Sequence, residues 1–238
     1  MSDLSTLKFF KTPAHACSYL EDHQATTLFV DPEARIDARL YSELSLIGFR
    51  RSGDYLYRPH CHGCQACIPV RIPVAKFSPK RRHRRILAAA DELRLEVEDA
   101  RFTPALYQLY ARYIQARHGD GDMYPPSEEQ FASFLMSSWS QTRFLVLYQG
   151  QRPVCVAVTD VLTDGLSAVY TFFEPDTACL SPGTLAILRQ IEWCRSEGLP
   201  YLYLGYYIRN CRKMAYKDNF SPLEAFRDGV WQRLENID

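Results

Sequence analysis

The sequence predicts an α+β fold: a core of mixed sheet and helices, preceded by a smaller N-terminal α+β region that contains cysteines. Three observations carry this. Arg143–Tyr148, Val154–Leu162 and Ser167–Phe173 are runs rich in β-branched and aromatic residues. Tight turns at Gly150 and Asp164-Gly165 join them, as in successive antiparallel strands. Next, Ser181-Pro182-Gly183 opens an amphipathic helix with Ile187, Leu188, Ile191 and Cys194 on one face and Gly198 as its stop. Finally, Tyr201 to Tyr207 (YLYLGYY) returns to strand chemistry.

The remaining elements follow in order. Residues 1–25 read as irregular, with His15 and Cys17 as their chemically suggestive members. Thr26–Val30 is a short buried strand. Asp31-Pro32 suits the start of a helix, Asp31 as cap and Pro32 in the first turn. Leu40, Leu44 and Ile47 share its inner face, and Gly48 ends it. Phe49–Tyr57 reads as a hairpin about Ser52-Gly53-Asp54. Ile68–Val74 alternates, but Pro69 and Pro73 confine it to an edge or an extended segment. A helix is expected around 79–90 and a strand over Leu93–Val97. Thr103 caps a helix over Pro104–Arg117, residues 118–122 form a loop, and Ser127 caps a helix through Met136. A short helix near Lys213–Asp218 and an irregular tail complete the chain. The division expected is a cysteine-containing domain over residues 1–100 and a sheet domain over 101–238. In the latter, three antiparallel strands, a helix and a strand follow the order of GNAT-like (acyl-CoA N-acyltransferase-like) cores. That analogy of fold carries no chemistry by itself.

Composition narrows the class. Apolar residues make up 47% of 238 and charged residues 24%, enough for an ordinary globular core. No run approaches the roughly 18 apolar residues of a membrane span, and the first residues, MSDLSTLKFFKT, lack the apolar stretch of a secretion signal. The expectation is a cytoplasmic protein with no membrane partner. Its eight cysteines are then thiols or metal ligands rather than disulfides.

The chemistry gathers in Tyr55–Leu87. Cys61, Cys64 and Cys67 are spaced three apart around Gly63. With Cys17, or with His60 or His62, they are candidate ligands for zinc or an iron–sulfur cluster; three reduced thiols lining a turn is the plainer alternative. Lys76, Lys80, Arg81, Arg82, Arg84 and Arg85 follow with no acid among them, in a chain whose 28 basic and 28 acidic residues balance. Cations at three- and four-residue spacing on one helix can grip successive phosphates, so these six are the candidate RNA contacts. The sequel to the aromatic strand, GYYIRNCRKMAYKDNF, is the other unusual stretch, because Gly205 opens space where a ligand can approach the backbone. No phosphate loop, nucleophile elbow or zincin motif occurs, and glycines are too few before Ser181 for the pyrophosphate loop of a CoA-using enzyme.

Four segments together resemble one family: YRPHCHGCQACIPVRI, KFSPKRRHRRIL, FFEPD with SPGTLAILRQIE, and YLGYYIRNCRKMAYKDNFSPLE. They are similar to the aminoacyl-tRNA–protein transferases, and most to the bacterial leucyl-tRNA–protein transferases, over roughly Thr26 to Pro222. The resemblance implies transfer of leucine from leucyl-tRNA to the α-amine of proteins that begin with Asp or Glu, which marks them for degradation. It implies no CoA and no cofactor required for catalysis. Cluster binding is implied for eukaryotic relatives; where they carry a CGYC pair, this chain has Cys17-Ser18-Tyr19-Leu20. An aminoacyl ester is already activated, so positioning and one proton transfer suffice. Glu174 and Tyr206 are the catalytic candidates for that proton. Arg212, Lys213 and Lys217 are the candidate cations for the acidic acceptor. Arginyl transfer, a non-catalytic cysteine-knuckle RNA-binding protein and a CoA-dependent acyltransferase are the competing readings.

Overall fold

The structure, a computed structural model, describes residues 4–121 and 123–234. The N-terminal third holds strands β1 (Phe9–Lys11), β2 (His15–Ala16), β3 (Gln24–Ala25), β4 (Thr27–Val30), β5 (Arg50–Ser52), β6 (Tyr55–Pro59) and β7 (Ile68–Pro73). Helices α1 (Ala38–Leu46) and α2 (Arg81–Ala89) interrupt and follow them. Then come β8 (Arg94–Asp99), α3 (Pro104–Arg117), α4 (Glu128–Leu135), β9 (Thr142–Gln149), β10 (Arg152–Leu162) and β11 (Gly165–Phe173). The chain closes with α5 (Pro182–Ser196), β12 (Tyr201–Tyr207), the one-turn helix α6 (Arg212–Ala215), a 3-10 segment Tyr216–Phe220, and strands β13 (Glu224–Arg227) and β14 (Val230–Arg233).

Eight strands form one mixed sheet in the order β14-β13-β7-β12-β11-β10-β9-β8. Alternation along its strands supplies two cores. Leu145, Leu147, Cys155 and Ala157 face α5, which buries Leu185, Leu188, Ile191 and Cys194 against them. Phe144, Val146, Val156, Val158 and Phe172 face the opposite way, under Leu109, Tyr110 and Ile114 of α3 and Phe131 of α4. A third core packs α1 and the four-stranded sheet β1-β4-β6-β5 against Leu162 and Tyr203 of the large sheet. Strands β7 and β8 lie before residue 100 yet belong to the same sheet as the strands after it. No helix among the described residues is long and apolar enough to cross a membrane.

Four expectations change. Helix α1 begins seven residues later than its first cap signal. Asp37 is the cap, its carboxylate accepting from the Leu40 amide at 2.8 Å, whereas Asp31 accepts from the Glu33 amide at 3.0 Å and closes a turn. Strand β7 is interior rather than an edge, between β12 and β13. Its pairing with β13 is confined to Val70 and Arg71, so Pro69 and Pro73 need not donate to that neighbour. The tail is a hairpin, β13–β14, turned by Asp228 (φ 50°) and Gly229 (φ 81°). Two positive φ values in a two-residue loop are the type I′ geometry that an Asp-Gly pair favours. The first 25 residues contribute the short strands β1, β2 and β3.

Two features place the site. Arg51 on β5 is wholly buried against Asp160 of β10, Nε to Oδ2 at 2.5 Å and Nη2 to Oδ1 at 2.8 Å, with Thr142 and Tyr41 donating to the same carboxylate. This network pins the β5–β6 hairpin to the sheet. Strands β11 and β12 run parallel but pair only at Gly165–Tyr201, Leu166–Leu202 and Ser167–Tyr203. Beyond those positions they splay, and the sheet opens between them.

Candidate active site

A cavity of about 790 Å³ fills the opening between the splayed strands. Ala168–Thr171 of β11 and Leu204–Tyr206 of β12 form its walls, α3 and the loop after it one flank, and α6 with the 3-10 segment the other. Arg50, Arg51, Arg117, Lys213 and Lys217 line it, and among the described residues no Asp or Glu does. Its apolar wall includes Phe134, Val169, Phe173, Ile187 and Leu204.

Gly205 sits where the β12–β7 register shifts and has φ 79°, a conformation side chains other than glycine resist. A Cβ there would stand 3.4 Å from Arg50 Nε. The Arg50 guanidinium therefore lies across the bare backbone of β12. Its Nη2 donates to Ala168 O on the other splayed strand, and its Nη1 is buried without a hydrogen-bond partner among the described residues. Lys217, 4% exposed, approaches from the 3-10 segment, with Nζ 3.6 Å from Met214 Sδ. Burial and then the Arg50 charge lower its pKa to about 7. His118, half-buried at the end of α3, has Nε2 3.4 Å from Tyr170 Oη; burial, then the Lys213 charge, lowers its pKa and keeps the ring neutral at pH 7.

The sequence candidates fall in different places. Of the three acceptor-binding cations, Lys217 and Lys213 line the cavity, and Arg212 is exposed outside the lining. Tyr206 lines it, but its hydroxyl donates to Gly48 O at 2.9 Å and Tyr57 O at 3.3 Å. Burial raises its pKa far above the ordinary phenol value, so it holds its proton. Glu174 lies outside the lining. Its carboxylate accepts from Arg112 Nε and Nη2 at 3.0 and 2.9 Å and meets Arg152 Nη2 at 2.6 Å. The Arg112 hydrogen bonds hold it below the usual carboxylate range, which makes it a weak base. In the sequence Arg50 reads only as one of several N-terminal arginines that favour contact with RNA, and His118, before Gly-Asp-Gly, reads as loop.

The basic run lies on an exposed helix face and the segment before it. On α2, Arg81, Arg82, Arg84 and Arg85 are exposed, while His83 and Ile86 are buried. Lys76 and Lys80 are exposed just before it. None of the six forms an ion pair among the described residues. The buried side fastens the helix to the cavity wall: His83 stacks on Phe220, centroids 5.4 Å apart and planes 12° apart, and Phe220 ends the segment that carries Lys217.

Cys61, Cys64 and Cys67 line a separate cavity of about 530 Å³ with His60. Burial, and then the neighbouring thiols Cys61, Cys17, Cys64 and Cys211, push Cys67 up to about 12. Among the described residues, however, no three His, Cys, Asp or Glu side chains converge as a metal would require. The thiols share a neighbourhood without forming a coordination sphere, with Cys61 Sγ turned to Thr26 O at 3.6 Å.

Residues 15–85 match the N-terminal model and residues 105–227 the C-terminal model of arginine-tRNA-protein transferase. The chain belongs to this family. Curated relatives carry the name aspartate/glutamate leucyltransferase. One from Alcanivorax borkumensis is 61% identical over 98% of this chain and 96% of its own length. One from Marinobacter nauticus is 53% identical over 98% and 99%, and one from Pseudomonas aeruginosa 52% over 98% and 100%. Of solved structures, the L-PGS of Bacillus licheniformis overlays with a TM-score of 0.48 at 12% identity, over 71% of this chain and 59% of that one, too distant to inform the site. The family's two parts meet in this fold: the N-terminal part supplies Arg50 and α2, and the C-terminal part supplies Lys217 and the splayed strands.

Proposed function

We propose that this protein is an aminoacyl-tRNA–protein transferase that moves leucine from leucyl-tRNA to the α-amine of proteins beginning with Asp or Glu. The observation that carries the reading is the cavity at the strand splay, rich in cations and, among the described residues, lined by no acid, beside a helix face whose arginines form no ion pair with those residues. Both substrates bring negative charge, the tRNA in its phosphates and the acceptor in its first side chain. The names of relatives more than 50% identical over nearly full length support leucine as the donor and Asp or Glu as the acceptor.

In this mechanism α2, with Lys76 and Lys80, grips the tRNA backbone and presents its aminoacyl end to the cavity. The apolar wall receives the leucyl side chain. The acceptor's α-amine nitrogen attacks the leucyl carbonyl carbon. The new C–N bond forms as the ester C–O bond to the ribose breaks, and the ribose oxygen leaves with a proton. An α-amine with pKa near 8 is partly neutral at pH 7 and still must shed a proton as it attacks. Glu174, held by two arginines, and Tyr206, holding its own proton, are poorly suited to accept it; neutral His118 is better placed. The remaining catalysis is positioning of two bound groups.

The deciding experiment presents leucyl-tRNA carrying labelled leucine together with peptides that start with Asp, Glu or Ala. Label is expected on the Asp and Glu peptides and not on the Ala peptide. His118→Ala is expected to lower kcat by about 100-fold. Binding of tRNA without any transfer would leave only the RNA-binding reading.

A further inference from the structure

We propose that Arg50, with Lys217 beside it, is the seat for the side-chain carboxylate of the acceptor's first residue, and so decides the preference for acidic over amide N-termini. This inference rests on the transfer reaction proposed above. Asp differs from Asn, and Glu from Gln, by a charge at almost constant shape, so a site that merely fits the side chain separates them poorly. Discrimination needs a desolvated cation that the amide leaves unsatisfied. Arg50 is 9% exposed and Lys217 4%, and both line the cavity. No carboxylate pairs with either among the described residues. Arg50 spends one nitrogen on Ala168 O, and its Nη1 has no hydrogen-bond partner among the described residues; Lys217 meets the Met214 thioether and, 5.0 Å from its centroid, the Tyr216 ring, neither of which carries a negative charge. A buried guanidinium beside a buried amine, with no counter-charge, is costly to keep charged in an empty site, and one carboxylate satisfies both in their charged forms. Gly205 keeps the strand beside them bare.

A tRNA phosphate is the other anion that could answer this charge. The exposed cations suit it better: Arg117 and Lys213 at the cavity's flanks and the arginines of α2 are open to a ribose-bearing ligand, whereas the Arg50 seat is deep. The charged and titratable groups that act on Lys217 are Arg50, which disfavours its charge, and Cys211, which favours it. A carboxylate bound between Arg50 and Lys217 would therefore recharge Lys217 and draw one proton from solution.

The test is steady-state transfer with Asp- and Asn-initiated peptides and with leucyl-tRNA, each varied in turn. Arg50→Gln is expected to shrink the Asp-over-Asn ratio of kcat/KM by about 10- to 100-fold, the range of a lost charged hydrogen bond, while the KM for leucyl-tRNA stays within about two-fold. Arg50→Lys is expected to restore part of the ratio. An unchanged ratio in folded Arg50→Gln overturns the proposal, as does a defect confined to leucyl-tRNA, which would assign Arg50 to phosphate. Should Arg50→Gln fail to fold by circular dichroism, calorimetry on the wild type decides. Asp-Ala and Asn-Ala dipeptides are titrated near pH 7.5 in two buffers of different ionisation enthalpy. Excess proton uptake with Asp-Ala supports the seat, and equal uptake overturns it. A wild type that transfers leucine to neither peptide refutes the reaction itself, a result distinct from either outcome for Arg50.

Discussion

Lys217 shows at the residue scale how function draws on stability. Its pKa falls from 10.5 to about 7 in the fold, chiefly through burial. Between those values the unfolded chain holds the proton and the native chain does not, so stability rises with pH through that window, and the full penalty is present below about pH 7. A shift of this size bounds the penalty at roughly 5 kcal/mol, and relaxation of the open cavity reduces it. Lys217→Met keeps the length and removes the charge. We expect it to raise Tm at pH 6.5 by about 3–10 °C, equivalent to about 1–3 kcal/mol in a chain of this size. The gain should shrink toward pH 9.5, and the Asp-peptide activity should fall. Thermal unfolding at the two pH values checks it. A lower Tm at both would mean that Lys217 is charged and paired in the fold.

At the scale of elements, α2 is the clearest device. Its inner side stacks His83 on Phe77 and Phe220, and its outer side shows four arginines that form no ion pair among the described residues. Arg81→Ala with Arg84→Ala is expected to weaken tRNA binding by about 1–3 kcal/mol across tRNA species. It should also lower the slope of log affinity against log salt by about two, one per lost phosphate contact. Equal affinity at low salt would make α2 an ordinary solvated face. Helix α2 was legible in the sequence because charge without acids survives folding unchanged. So were α3, α4 and α5, whose caps Thr103, Ser127 and Ser181 stand where the sequence puts them. What escaped depends on partners distant in sequence. Asp31-Pro32 and Asp37 offer rival caps, and packing of Leu40 and Leu44 decides between them. The prolines of β7 exclude it from the interior unless one knows that β13 touches two residues of it. The Asp228-Gly229 turn was a readable hairpin signal that a short, polar tail obscured. Arg50 becomes a site residue only when Gly205, 155 positions later, is laid against it.

At the scale of the whole molecule, the sheet joins what the sequence divides near residue 100. Strand β7 stands between β12 and β13 and carries Ile68, Val70 and Ile72 into the α5 core, with Val74 just beyond its end. Each is between 0% and 7% exposed. Full burial of such a side chain contributes about 1.5–3 kcal/mol, so the four contribute on the order of 6–12 kcal/mol. That matches the entire net stability of a typical domain, about 5–15 kcal/mol. Loss of β7 would also bare one edge of β12, the strand that holds Gly205, and leave β13–β14 without its neighbour in the sheet. The Arg51–Asp160 pair adds to the dependence, because removal of Arg51 leaves a buried carboxylate that keeps the Thr142 and Tyr41 hydroxyls but loses its counter-charge. We therefore expect a fragment of residues 101–238 not to fold alone, and the full chain to unfold in one transition by both circular dichroism and tryptophan fluorescence. A fragment with a cooperative melt and dispersed amide resonances would show that the sheet closes without β7. Arg50 and α2 would then ride on a separable unit, and the cavity would be an interface between two domains rather than an opening within one sheet.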